Sequence, residues 1–372
     1  MVGRDPGEAH RVATRLELLF DLTFVVAVAA AAERLHHFLS EGDVAHALVG
    51  YLAVFFAIWW AWMTFTWFSS AFDTDDDVYR LTTMVQIAGA LVLAAGIPRA
   101  FNEGDFSIGT YGWVIMRLAL VFQWLRLART DPARRPGALR FAVGFTLLQI
   151  GWVARLYLPT AWLVPAFLVL GVAELVVPVW AERHAPTPWH PHHITERYGL
   201  FTIIVLGESV AATAATIQAV LDTGHGDLPL LSLAGAGLVI VFSMWWLYFD
   251  QPAHDLLTSL RRAFIWGYGH YLVFGSAAAV GAGLAVAIDY KEHTAHLSAV
   301  AVAYATALPV AIFLLTVWVL QVRPRQPRGL VTVTFPVTAV LVLATPFAPA
   351  AIYPMAVLLA ALVGVTIVTG QP

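Results

Sequence analysis

The chain has 372 residues, of which 59% are hydrophobic and only 12% charged, with a formal net charge of −3. Soluble domains carry about 25% charged residues, so half that content, with a mean hydropathy of +0.74, points to a membrane protein and gives no reason to expect nucleic acid as a partner. There is no cysteine, which excludes disulfides, thiolate catalysis and thiolate metal sites.

The first sixteen residues are polar and lack the short apolar core and small-residue cleavage site of a signal peptide. The first spanning helix is therefore expected to be retained as its own insertion signal. About twelve apolar stretches follow, each at roughly 17–25 residues long enough to cross a bilayer. They fall near 17–39, 44–70, 79–97, 110–128, 139–157 and 160–181, and then near 195–221, 229–249, 263–288, 298–321, 330–347 and 350–369. Pro346, Pro349 and Pro354 crowd the turn between the last two, which leaves open a re-entrant segment there. Most arginines, from Arg4, Arg11 and Arg15 to Arg197 and Arg328, fall on one side of this scheme, against Arg34, Arg99, Arg155 and Lys291 on the other. By the positive-inside rule both termini are expected in the cytoplasm.

The two halves look alike. AIWWAWM at Ala57–Met63 resembles SMWWLYF at Ser243–Phe249, and WLRLARTDPARR at Trp124–Arg135 resembles WVLQVRPRQPR at Trp318–Arg328. The expected architecture is all-α and polytopic, with about twelve helices as two parallel six-helix repeats. Its parts are a first half at 1–182, a cytoplasmic linker at 183–194 and a second half at 195–372.

Acidic residues inside apolar helices are the chief functional signal, because a carboxylate in hydrocarbon costs at least about 2.5–3.5 kcal/mol and needs a partner or a task. In the first helix Glu17 and Asp21 lie four apart on one face. Glu17 can simply complement the helix N-terminus; Asp21, a turn deeper, is the stronger candidate for a transport role, with a structural ion pair as the alternative. Glu33 lies about 18 Å beyond Asp21 and reads as a wetted helix end. In the seventh helix Glu196 repeats the entry position, while Glu208, past mid-membrane between Gly207 and Ser209, is the leading candidate for a transport or proton-relay role, with a structural ion pair as the alternative. Arg117 reads as the one deep cation, with Glu208 or Glu174 as partner, either as a relay or as a packing pair. His270, among Tyr268 and Tyr271, is a further proton-relay candidate, although such a histidine is more often a hydrogen-bonded helix contact. The tryptophans Trp59, Trp60, Trp62 and Trp67, with Trp245 and Trp246, read mainly as helix packing.

Two loops carry weaker signals. His184, His190, His192 and His193 in the linker could ligate a transition metal, but the prolines rule out a helical i,i+4 pair and no carboxylate is interleaved before Glu196. Asp73, Asp75, Asp76 and Asp77, with Asp250 and Asp255 at the related position, could hold magnesium against a diphosphate. Their spacing departs from the repeated aspartate motif of prenyl-transfer enzymes, and a solvated helix boundary explains them as well.

ELLFDLTFVV at Glu17–Val26, followed by ERYGLFTIIVLGES at Glu196–Ser209, resembles the bacterial low temperature requirement A family over nearly the whole chain. The resemblance implies a polytopic protein of the bacterial inner membrane, linked to growth in the cold, and implies no substrate. The first motif is also faintly similar to the Phe-Ser-Asp motif of the lysosomal potassium channel family, which keeps ion conduction in view. The leading expectation is an ion- or proton-coupled transporter or channel in the lipid bilayer, with a small cation or proton as partner and no cofactor. The alternatives are a structural or signalling membrane protein and an intramembrane enzyme acting on lipid-linked diphosphates.

Overall fold

The computed structural model describes residues 1–5, 7–8, 11–183, 186–222, 228–325 and 329–369; His184 and Arg328 lie outside them. Among the described residues the structure is all-helical, with twelve long helices in chain order. They are α1 (Arg15–Ser40), α2 (Val44–Phe72), α3 (Asp77–Asn102), α4 (Ser107–Thr130), α5 (Arg135–Arg155) and α6 (Thr160–Glu182). Then come α7 (Pro191–Asp222), α8 (Leu228–Phe249), α9 (Leu260–Lys291), α10 (Ala299–Arg325), α11 (Leu330–Ala344) and α12 (Ile352–Thr369). Ten of these are long and apolar enough to cross a membrane; the two outside that set are the acid-bearing α1 and α7. Apolar side chains such as Leu147 and Ile150 on α5 and Leu168, Val169 and Val172 on α6 are more than half exposed, which suits a surface solvated by lipid rather than water. Helix starts follow from the local sequence. Asp76 caps α3 by accepting from the Tyr79 amide at 2.9 Å, and Ser259 and Ser298 cap α9 and α10 in the same way.

Two compact units emerge from the packing. The first comprises Met1–Ala30 and Ala57–Arg197, the second Ala31–Phe56 and Tyr198–Pro372. In the first unit, α3 and α4 meet backbone to backbone. A Cβ added at Gly112 would lie 2.3 Å from the Leu93 nitrogen, and one at Gly96 would lie 2.5 Å from the Gly109 nitrogen. Glycine is required there because contact between main chains leaves no volume for a side chain. In the second unit Gly283 brings α9 equally close to α10, where its Cβ would meet the Ala305 carbonyl at 2.3 Å.

The tryptophan stripes differ between the units. Trp59, Trp60 and Trp62 of α2 are buried in the first, whereas Trp245 and Trp246 of α8 are exposed.

Candidate functional site

Charge is concentrated where α1 and α7 begin. Thr14 and Glu17 form a capping box: the Thr14 amide donates to Glu17 Oε2 at 2.7 Å and the Glu17 amide to Thr14 Oγ1 at 3.3 Å. Glu17 is nevertheless fully buried, so it is more than a surface cap. His193 Nε2 lies 3.1 Å from Oε2, and Arg197 Nη1 lies 3.2 Å from Oε1. Oε1 has no aligned hydrogen-bond donor among the described residues, and neither has His193 Nδ1 an aligned partner.

Asp21, one turn further along α1, is held much more tightly. Arg197 donates to it through Nε at 2.9 Å and Nη2 at 2.6 Å, a bidentate fork, and the Trp62 indole donates at 2.7 Å. Asp21 and Arg197 are both buried. Arg11 closes the site from the N-terminal segment. Its guanidinium donates to the Ser69 carbonyl at 2.7 Å and to the Ser70 carbonyl, in the last turn of α2, where a cation is favoured. Arg11 Nη2 also stands 3.9 Å from Glu17 Oε1. Asp73, in the loop after α2, is buried beside them. Burial, and then the Glu17 carboxylate, push its pKa above the ordinary value. Tyr79, fully buried at the start of α3, has a hydroxyl without a hydrogen-bond partner among the described residues.

A second buried pair lies in the same unit. Arg117 Nη2 donates to Glu174 Oε2 at 3.3 Å and Nη1 to Thr64 Oγ1 at 2.7 Å. The indoles of Trp60 and Trp152 donate to the two Glu174 oxygens at 2.8 and 3.1 Å. Trp113 and Phe145 lie 4.4 and 4.7 Å from the guanidinium, so the cation is also held by ring faces. Of the two partners the sequence offered for Arg117, Glu174 is the one bound to it.

The remaining candidates lie in the second unit. His270 is fully buried, its Nδ1 2.7 Å from the Trp266 carbonyl and its Nε2 3.0 Å from the Tyr248 hydroxyl. A carbonyl only accepts, so Nδ1 carries the proton and Nε2 accepts from the tyrosine; a neutral imidazole satisfies both. Glu208 is half-buried, and among the described residues the Glu33 carboxylate is the charge that acts on it. Glu33 itself is exposed and paired with Arg34. The small residues flanking Glu208 do different work: a Cβ at Gly281 of α9 would lie 3.0 Å from Ser209 Oγ, whereas Gly207 faces open space. Glu196, half-buried on α7 in the first unit, has one buried oxygen without a hydrogen bond among the described residues.

Reading the sequence missed part of the first cluster. Arg117 is not the only deep cation: Arg197 is fully buried and Arg11 nearly so. By the positive-inside rule Arg197 falls at the cytoplasmic end of its helix. A signal was present, since His193 and Arg197 repeat on α7 the four-residue spacing of Glu17 and Asp21 on α1 with complementary chemistry.

The linker histidines have other tasks. His190 accepts the His193 amide through Nδ1 at 3.3 Å and so donates through Nε2 to the Glu8 carbonyl at 2.7 Å. Neither these histidines nor the aspartates form a group of three or more metal-ligating side chains among the described residues. Asp75 and Asp76 instead pair with Arg80 and Arg126.

Comparison with known proteins bears on these motifs. The family described as Bacterial low temperature requirement A protein (LtrA) matches residues 12–369, which include both α1 and α7. An uncharacterized protein of Rhizobium meliloti (strain 1021), RA0937, is 27% identical over 303 residues, covering 75% of this chain and 70% of its own length. With the match spanning nearly the entire chain, this multi-pass helical membrane protein belongs to the bacterial low temperature requirement A family.

Proposed function

We propose that the protein is a proton- or cation-coupled transporter of the bacterial inner membrane, with both termini in the cytoplasm and with Glu17 and His193 as its coupling pair. The observation that carries this reading is the unequal holding of two carboxylates one turn apart. Asp21 accepts three short charge-assisted or indole hydrogen bonds, which suits a fixed anchor for Arg197. Glu17 meets an imidazole on one oxygen and leaves the other without an aligned donor. A buried carboxylate in contact with a titratable ring can exchange a proton through that ring, in a step that needs the flanking guanidiniums to move away because they favour the ionised carboxylate.

The test is reconstitution in liposomes under an imposed pH gradient, with proton movement followed across a panel of monovalent cations. Glu17→Gln keeps the capping box, since Gln serves at that position as Glu does, and removes the titratable charge. Wild-type flux that falls at least about tenfold in a Glu17→Gln protein of near-normal melting temperature supports the reading. Unchanged flux in that variant, or no proton or cation movement by wild type, would sink it. A purely structural role is favoured by the Asp21–Arg197 fork alone, and predicts that stability is the property that changes.

A further inference from the structure

A cavity of about 360 Å³ lies within the second unit, between the end of α1, the first half of α2, the middle of α9 and α10. That volume is within the usual range for ligand pockets, about 300–1,000 Å³. Its floor is formed by buried Leu35, Tyr51 and Phe55, and its lip by exposed Leu48, Leu52, Leu272 and Leu308. The cavity is therefore a slot open along its side, towards the surface that faces lipid.

Two features of the slot define its ligand. The first is chemistry. Its lining holds four polar side chains, and each of their hydroxyls is already engaged with a backbone carbonyl. Tyr51 donates to Gly275 at 2.6 Å and Tyr271 to Leu52 at 2.8 Å, so the two tyrosines brace α2 and α9 reciprocally. Ser276 donates to Leu272 at 2.5 Å, and Tyr304 to Leu343 at 3.2 Å. No lining side chain has a hydroxyl proton left to offer, and a ligand with polar groups along its length would bury them unpaired. The second feature is length. The lining runs from Val44 to Phe55 on α2 and from Ala301 to Ile312 on α10, about 16 Å at 1.5 Å per residue. That matches half of a hydrocarbon core about 30 Å thick. The end at Leu39 and Val44 adjoins a polar boundary, where His36 and Ser40 each lie 2.7 Å from Asp289 Oδ2 and the His296 amide donates to the Ser40 carbonyl at 2.7 Å.

We infer that the slot is a binding site for one acyl chain of a bilayer phospholipid. The chain enters at the Ser40–Asp289 boundary and lies along α2 and α10 to mid-membrane, with its head group left at the polar end. The site is independent of the Glu17–His193 pair.

Delipidated protein in detergent, titrated with a phosphatidylglycerol and weighed intact by mass spectrometry, tests this. Wild type should take up one lipid per chain saturably. Ala301→Phe combined with Ala305→Phe fills the slot and should weaken uptake at least about tenfold, whereas Val300→Phe, on an exposed position outside the slot, should not. Equal uptake by wild type and the filled variant, or none by wild type, overturns the proposal. Should the filled variant fail to fold, the absence of native cysteine allows a single reporter. Leu308→Cys carrying a bimane dye should be quenched by phospholipids brominated near the chain end, with saturation at about one lipid per protein. Palmitate should reverse the quenching and glycerol phosphate should not. Quenching that rises linearly with lipid, or reversal by glycerol phosphate, would refute acyl-chain recognition.

Discussion

Replacing Asp21 by Asn tests whether the Arg197 fork holds α1 to α7. Both Arg197 Nη2 and the Trp62 indole donate to Oδ1, while Arg197 Nε donates to Oδ2. An Asn at this position can place its amide oxygen at Oδ1 and keep two of the three bonds. Its NH₂ then faces Arg197 Nε, donor against donor, and the guanidinium loses its main counter-charge. Removing one partner of a buried pair costs about 3–5 kcal/mol. Arg197 keeps Glu17 at 3.2 Å, so the lower end, about 3 kcal/mol, is expected. Glu17→Gln should cost much less, about 1 kcal/mol, because Asp21 still pairs with Arg197 and the cap survives. The double variant Asp21→Asn, Arg197→Gln should be more stable than the sum of its singles by about 1–3 kcal/mol, since neither member of the fork is then left facing an unpaired partner, while Glu17 keeps His193 and Arg11. Equilibrium unfolding in detergent micelles, followed by circular dichroism, measures all four. An Asp21→Asn cost below about 1 kcal/mol, or strict additivity in the cycle, would refute a structural fork.

Two further outcomes follow from named contacts. Gly112→Ala must push α4 away from the Leu93 backbone and should lower stability by about 1–3 kcal/mol, whereas Gly109→Ala, whose Cβ meets open space, should leave the melting temperature unchanged or raise it. At the start of α3, Arg126 lies 2.5 Å from Asp76, and its guanidinium, followed by the Tyr79 amide, holds the Asp76 carboxyl below its usual range. A depressed folded pKa means the pair stabilises above the unfolded value near 3.9 and stops doing so as pH falls through the folded one. Asn also caps helices well, so Asp76→Asn should cost at most about 1 kcal/mol at neutral pH for this part-exposed pair, and the difference from wild type should vanish in acid.

Helix number and order were legible because hydrophobic length is a local property that each segment carries by itself. Two positions show where that stops. Arg197 looks like a boundary residue in its own neighbourhood, and only its fork onto Asp21, 176 residues earlier, makes it an interior one. His270 is a proton-relay candidate by residue type, and only the fold shows that Trp266 and Tyr248 engage its two ring nitrogens. Both outcomes depend on partners brought in by tertiary packing, which periodicity does not encode. The tryptophans follow the same logic: similar WW motifs on α2 and α8 are buried in one case and exposed in the other, because burial depends on the neighbours a helix has.

The two buried ion pairs of the first unit are not separate devices, since α2 serves both. Trp60 donates to Glu174, Trp62 to Asp21, and Thr64 accepts from Arg117, all within five residues of one helix. At 100° per residue Trp60 and Trp62 point to roughly opposite faces of α2, so the helix stands between the clusters with one indole in each. Rotation of α2 about its axis would withdraw both donors together, and each carboxylate would then lose a bond that it cannot replace from hydrocarbon. The buried acids therefore fix the rotational setting of α2, and the indoles fix the acids. The cost of burying Asp21 and Glu174 is offset by arginine and tryptophan acting jointly, which is why the tryptophans of AIWWAWM are polar ligands as well as packing.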